Sequence, residues 1–305
     1  MRQIATTLGG NDWQRAHRAT YRRRLTQLER AGIRNIADLI ANMPSLSTKT
    51  LDWVIQLCWL LKVKQAAPVL WQLMARPKLR MACAHAMGFL AVNRFERKFA
   101  KLGQMELQNP RPDIRQLEVI VAGLRYAIGP EATEVMVSIF ERPDLPGWIR
   151  GEVGDAIPSI GDVGKRRSKS FNRTVKAAIA GLDDSDINMQ FWSMYALGSL
   201  ACHYKRYPKP SINAIFQPAL PKLREIAATD TRLAPGYWWP MSAEAEDAIG
   251  CIETGNWPQP DAGERWPSTG PRGEWRCSES APSHIELRVE RVAERLAYVA
   301  QSLRD

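Results

Sequence analysis

The side chains able to do acid-base or nucleophilic chemistry are few and far apart. Histidines stand at positions 17, 85, 203 and 284. None belongs to an HExxH pair, the helical spacing that holds a catalytic zinc, and no GxSxG elbow presents a serine nucleophile. Cys202-His203, and Cys277 with His284, are zinc-ligand types. Without a CxxC or comparable pair nothing anchors a tetrahedral site, so they read as buried thiols and surface imidazoles. The segment GDVGKRR is similar to a phosphate loop, yet Ser159 stands where its first glycine belongs and Arg166 replaces the magnesium-binding hydroxyl. That removes it as a nucleotide site. No cofactor, no metal and no catalytic residue is expected.

The elements that would position any site repeat along the chain. With Arg80 as position zero in PKLRMACAHAMGFLA, small or apolar residues fall at +2, +3, +4 and +6, an aliphatic at +7 and Gly at +8. Arg115 repeats the pattern, ending in Ala122 and Gly123. Arg150 repeats it with Ala156, Ile157 and Pro158, and Gln190 with Ala196, Leu197 and Gly198; the spacings are 35, 35 and 40 residues. A weaker copy counted from Ser242 ends in Ala248, Ile249 and Gly250, and LDWVIQLCWLL is a degenerate earlier one. Apolar stretches with three- and four-residue periodicity precede these copies at 67–74, 131–140, 172–182 and 218–228, which predicts two helices per unit. Pro and Asp in RPK, RPD and DDSD punctuate the gap between them, Pro limiting one helix and Asp capping the next.

LDDSDINMQFWSMYALGSLA, with its fellow copies, resembles the HEAT repeat, specifically the short PBS-lyase HEAT-like type. The likeness covers residues 48–252. It implies an all-α fold: a right-handed α-solenoid of HEAT-like helix pairs with helical N- and C-terminal caps, in which neighbouring units bury one another's apolar faces. Gln190 in place of Arg, Pro158 in place of Gly, and a final spacing of 52 residues are departures that imply irregular later units. The chain divides accordingly into a basic N-terminal helical cap at 1–47 and the array at 48–252. A Pro-, Gly- and Trp-rich extended segment follows at 253–283 and an amphipathic C-terminal helix at 284–305. The last helix opens with a capping box, Ser283 and Glu286, and its narrow seam suits an end cap, with a homodimer seam as the sharper alternative.

In this register positions +3 and +7 face the core, and +1 and +5 turn toward the inner surface of the superhelix. Those columns collect Met81, Gln116 and Phe191 at +1, and His85, Ile120, Asp155 and Tyr195 at +5. His85, Asp155 and Tyr195 lie in different repeats whose axes are on the order of 10 Å apart, so a binding face for a protein partner is the better reading than an acid-base group. Phe191 and Tyr195, one turn apart, are its aromatic anchor.

The 305 residues carry 42 Lys and Arg against 32 Asp and Glu, a net charge of +10, which favours an acidic partner or a polyanion. The basic clusters are Arg22, Arg23 and Arg24; Arg94, Arg97 and Lys98; and Lys165, Arg166, Arg167 and Lys169. As solvated edges they would steer an acidic protein; as phosphate contacts they would serve nucleic acid. Five dispersed cysteines, an odd number, do not make a disulfide framework and fit a reducing cytoplasm. The opening residues lack the apolar stretch of a secretory signal, and no run approaches the roughly 20 apolar residues of a membrane span. The function expected is a non-catalytic scaffold or adaptor holding a protein partner, without a membrane role. Nucleic-acid binding, including the base-excising chemistry of some HEAT-like solenoids, is the alternative, and a bilin-lyase-like subunit is a further one.

Overall fold

The computed structural model describes residues 32–60, 62–160, 169–205, 214–233 and 240–256, with scattered positions between 23 and 30. Among them are twelve α-helices and no strand, apart from a single bridge between Leu233 and Pro240. The chain forms two compact units, residues 1–95 with 282–305, and residues 96–281.

In the first unit, α1 (Ile36–Asn42) is capped by Asn35, whose side chain accepts the N–H of Asp38. Pro44 then fixes a 3₁₀ turn before α2 (Thr48–Leu60). The hairpin of α3 (Ala67–Leu73) and α4 (Arg80–Leu90) follows, and α4 packs on both α2 and α3. Leu51, Val54, Leu57, Cys58, Leu70, Cys83, Ala84 and Ala86 fill the space between them. Ala91, in the left-handed region at φ 45°, closes α4, a C-terminal turn that glycine more often supplies.

The second unit begins within α5 (Asn93–Gln108), a strongly amphipathic helix that the repeat columns and the apolar stretches preceding them do not include. Its buried face, Phe99, Ala100 and Gly103, meets α6 (Ile114–Leu124) and α7 (Pro130–Glu141). The Phe99 ring lies over Gly123, where an added Cβ would come 2.5 Å from Cζ. The rest is pairs: α7 with α8 (Gly147–Ala156), α9 (Lys169–Gly181) with α10 (Ile187–Lys205), and α11 (Leu220–Thr229) with α12 (Met241–Thr254). The second helices also contact one another in sequence order, α6 on α8, α8 on α10 and α10 on α12, while α7 packs on α9. Asp113 and Asp186 cap α6 and α10 as the punctuation predicts, each carboxylate accepting N–H groups of the first turn. Asp144 does not cap α8; it binds Arg142.

Helix α10 is the centre of this unit. Residues 191–200 are buried without interruption, the signature of a helix that is apolar all round rather than on one stripe. Its approach to α8 is set by Gly151 and Gly154. A Cβ on Gly154 would fall 2.9 Å from Trp192 Cβ and 3.1 Å from the Trp192 carbonyl oxygen, so only glycine lets the two backbones come this close.

Position zero of the repeat has a structural meaning. The Nε of Arg80 donates to the carbonyl of Met74, and that of Arg150 to the carbonyl of Phe140, both at 3.2 Å. In each case the side chain satisfies a carbonyl at the end of the first helix of its own pair. Helix α12 ends at Gly255, φ 69°, two residues inside the segment expected to be extended. The remainder of that segment and the C-terminal amphipathic helix lie outside the described residues.

Candidate functional site

The columns expected to line an open face divide in two. On α4, Met81 and His85 are half-buried, and so are Ala82 and Phe89 on the same side of the helix. Beside them on α2, Asp52, Gln56 and Trp59 are half-buried at spacings of four and three, one face of that helix. The two rows meet in the last turns, where the rings of Trp59 and Phe89 stack with centroids 4.5 Å apart and planes 19° from parallel. A surface with an aromatic pair at one end, Met81 and His85 along α4, and the polar ends of Gln56 and Asp52 along α2 suits protein recognition by contact. Sequence reasoning missed Trp59, Gln56 and Phe89, although the i, i+4, i+7 spacing of 52, 56 and 59 carried the signal.

In the second unit most of the same columns are closed. Gln116 remains half-buried in the first turn of α6. Ile120 is fully buried. Asp155 is 5% exposed and ion-pairs with Arg125, whose guanidinium also lies 3.8 Å from Glu152. Phe191 and Tyr195, expected to offer open aromatic surface, are 2% and 6% exposed. Trp192 packs edge-on against both, at 5.0 and 5.5 Å. That expectation of an open surface is corrected: helix α10 is enclosed by its neighbours, so its +1 and +5 positions serve packing. The +3 and +7 columns are buried as expected at Cys83, Met87, Ala122, Val153, Ile157, Ser193 and Leu197; Glu118 is half-buried.

Of the basic residues expected to meet a polyanion, Arg23, Arg94, Arg97 and Lys169 are exposed and Lys98 is half-buried. Arg22, Arg24, Lys165, Arg166 and Arg167 lie outside the described residues, as do His17, Cys277 and His284. Other cations of the second unit are committed to acids. Arg173 joins Glu134 and Glu141 of the preceding pair, contacts that raise its already high pKa. Lys222 bridges Asp183 and Glu225 at 3.1 Å each. A polar cleft of about 350 Å³ opens beside them, lined by Gln190, Lys222, Glu225, Asp230 and Arg232 among others. There Arg232 donates to Gln190 and holds the Asp230 carboxyl below its ordinary range by hydrogen bonding.

The described cysteines at 58, 83, 202 and 251 form no disulfide with one another. Burial pushes the thiols of Cys58 and Cys83 up to about 12. Cys251 is raised as well, first by its hydrogen bond with Cys202 and then by burial. These are protonated packing residues at neutral pH, not activated nucleophiles. Among the described residues no group of His, Cys, Asp and Glu is arranged to hold a metal ion, and no helix is long and apolar enough to cross a membrane. No protein-family model, no curated protein and no solved structure matches the chain.

Proposed function

We propose that the chain is a HEAT-like α-solenoid that works as a non-catalytic scaffold in the cytoplasm, binding a protein partner through the face shared by α2 and α4. The observation that carries this reading is the half-open row of Met81, His85 and Phe89 beside Gln56 and Trp59, with its aromatic stack at one end. Large, stiff aromatic side chains with a polar margin are the residues that dominate binding energy at protein interfaces. The repeat reading is supported by the recurring hydrogen bond of the position-zero arginine and by the second helices that pack on one another in chain order. Thiols held protonated by burial suit a reducing compartment.

A photo-crosslinking side chain at His85, used in extract of the cells that make the protein, is expected to capture one protein that excess unlabelled chain displaces. Met81→Arg should reduce that capture at least about tenfold, because a hot-spot contact is worth about 2 kcal/mol or more. Capture no different from that at Lys176, an exposed position of the second unit, would remove the face from consideration.

A further inference from the structure

The net positive charge of the chain lies in one unit. Residues 1–95 hold fifteen Lys and Arg against four Asp and Glu, whereas residues 96–281 hold 23 against 24. Within 32–95 the cations are Arg34, Lys49, Lys62, Lys64, Arg76, Lys78, Arg80 and Arg94, and the acids are Asp38 and Asp52 alone. Four of those cations lie at one edge. Arg76 donates to the carbonyl of Pro44 at 2.8 Å, tying the turn after α3 to the turn before α2. The 77–79 turn packs on α2. This places Arg76, Lys78 and Arg80 beside Lys49, the second residue of α2. All four are exposed and none makes an ion pair with another described residue. The two arginines each spend one N–H on a carbonyl, Pro44 or Met74, which steadies the guanidinium and leaves the other donors of its fork uncommitted.

We propose that this edge, Lys49, Arg76, Lys78 and Arg80, grips the phosphate backbone of a nucleic-acid duplex. An acidic protein would need an apolar anchor among the charges; Met81, next to Arg80, is half-buried and belongs to the α2–α4 face, and the one large hydrophobic residue exposed among those described in this unit is Ile36, on α1. Single strands are held by aromatic platforms for their bases. The aromatic pair of this unit, Trp59 and Phe89, stands in the last turns of α2 and α4, while Lys49 and Arg80 stand in the first. A duplex backbone asks for neither an apolar anchor nor a stacking surface: it presents regularly spaced phosphates, and lysines and arginines bind them by releasing counterions. Binding of this kind fixes position and carries no sequence preference.

The test is fluorescence anisotropy of the full chain with a labelled duplex of unrelated sequence, repeated across salt concentrations. With four phosphate contacts, log affinity is expected to fall with log salt at a slope of about 3 to 4. Lys49→Glu/Lys78→Glu should weaken binding at least about tenfold at moderate salt and reduce the slope by about two. The same change of charge in the second unit, Lys101→Glu/Lys176→Glu, should have a much smaller effect. Both lysines of that control are exposed and make no ion pair with a described residue. Should the glutamate pair fail to fold by circular dichroism, Lys49→Gln/Lys78→Gln is expected to lower the slope in the same way. Equal losses in the two double variants, no binding by the parent, or tighter binding of a single strand would each overturn the proposal. So would poly-glutamate or anionic lipid vesicles held as tightly as the duplex. Capture of a protein at His85 should survive Lys49→Glu/Lys78→Glu, so the edge and the face fail independently.

Discussion

Arg150 of α8 places its guanidinium 2.5 Å from the carboxylate of Asp184, 34 residues downstream in the turn between the two helices of the next pair. The arginine is 6% exposed, and its Nε also serves the carbonyl of Phe140. One side chain therefore joins both helices of its own pair to the turn of the next. Removing one partner of such a pair leaves the other charge without compensation, so Arg150→Met is expected to cost roughly 3 kcal/mol, at the lower end for buried pairs because Asp184 keeps some access to water. Urea unfolding measures this, and Arg150→Met/Asp184→Asn should recover part of the loss. A single variant as stable as the parent would show that the ion pair does not hold neighbouring helix pairs together.

Gly154→Ala should destabilise the second unit although alanine is the better helix former. The added methyl meets the backbone oxygen of Trp192 at 3.1 Å, and backbone cannot swing aside as a side-chain tip can. Overpacking of this sort costs roughly 1 to 3 kcal/mol, against a helix-propensity gain of about 1 kcal/mol. Thermal melting decides the sign, and an increase in Tm would mean that α8 and α10 shift apart easily.

Phe191→Ala is expected to act on stability and not on partner capture. The side chain is buried in contact with Trp192, and truncating a core phenylalanine costs roughly 3 to 5 kcal/mol through lost burial and the cavity left behind. A small change in urea midpoint together with loss of capture would restore Phe191 to a binding role.

Stability should fall as pH climbs above about 9. The folded chain keeps Cys58 and Cys83 protonated until about 12, against an ordinary value of 9.0. The unfolded chain releases those protons first, so folding is favoured below the ordinary value and progressively less through the interval up to about 12. Cys58→Ala/Cys83→Ala should flatten the decline in urea midpoint between about pH 8 and about pH 10. An unchanged slope would assign it to other groups.

What the sequence determined by itself is the helical periodicity and the columns that must be small or apolar. The spacing of Arg80, Arg115, Arg150 and Gln190 located helices α4, α6, α8 and α10, and the need of Gly123 for a close neighbour was legible as a column of small residues because local pattern encodes which side of a helix is apolar. Helix α5 was legible too, since Phe95, Phe99 and Gly103 recur every four residues, but Arg94, Arg97 and Lys98 between them read as a basic cluster and not as the polar face of a helix. The sequence could not say how many sides of α10 would be covered. Phe191 and Tyr195 occupy the same columns as Met81 and His85, yet the first two are buried and the second two half-open, since exposure depends on how neighbouring helices surround a position and not on its register. The same holds for charge: Arg125 and Arg150 find carboxylates 30 and 34 residues away, while Lys49 and Lys78 find none among the described residues, and only the folded chain decides which cations are neutralised.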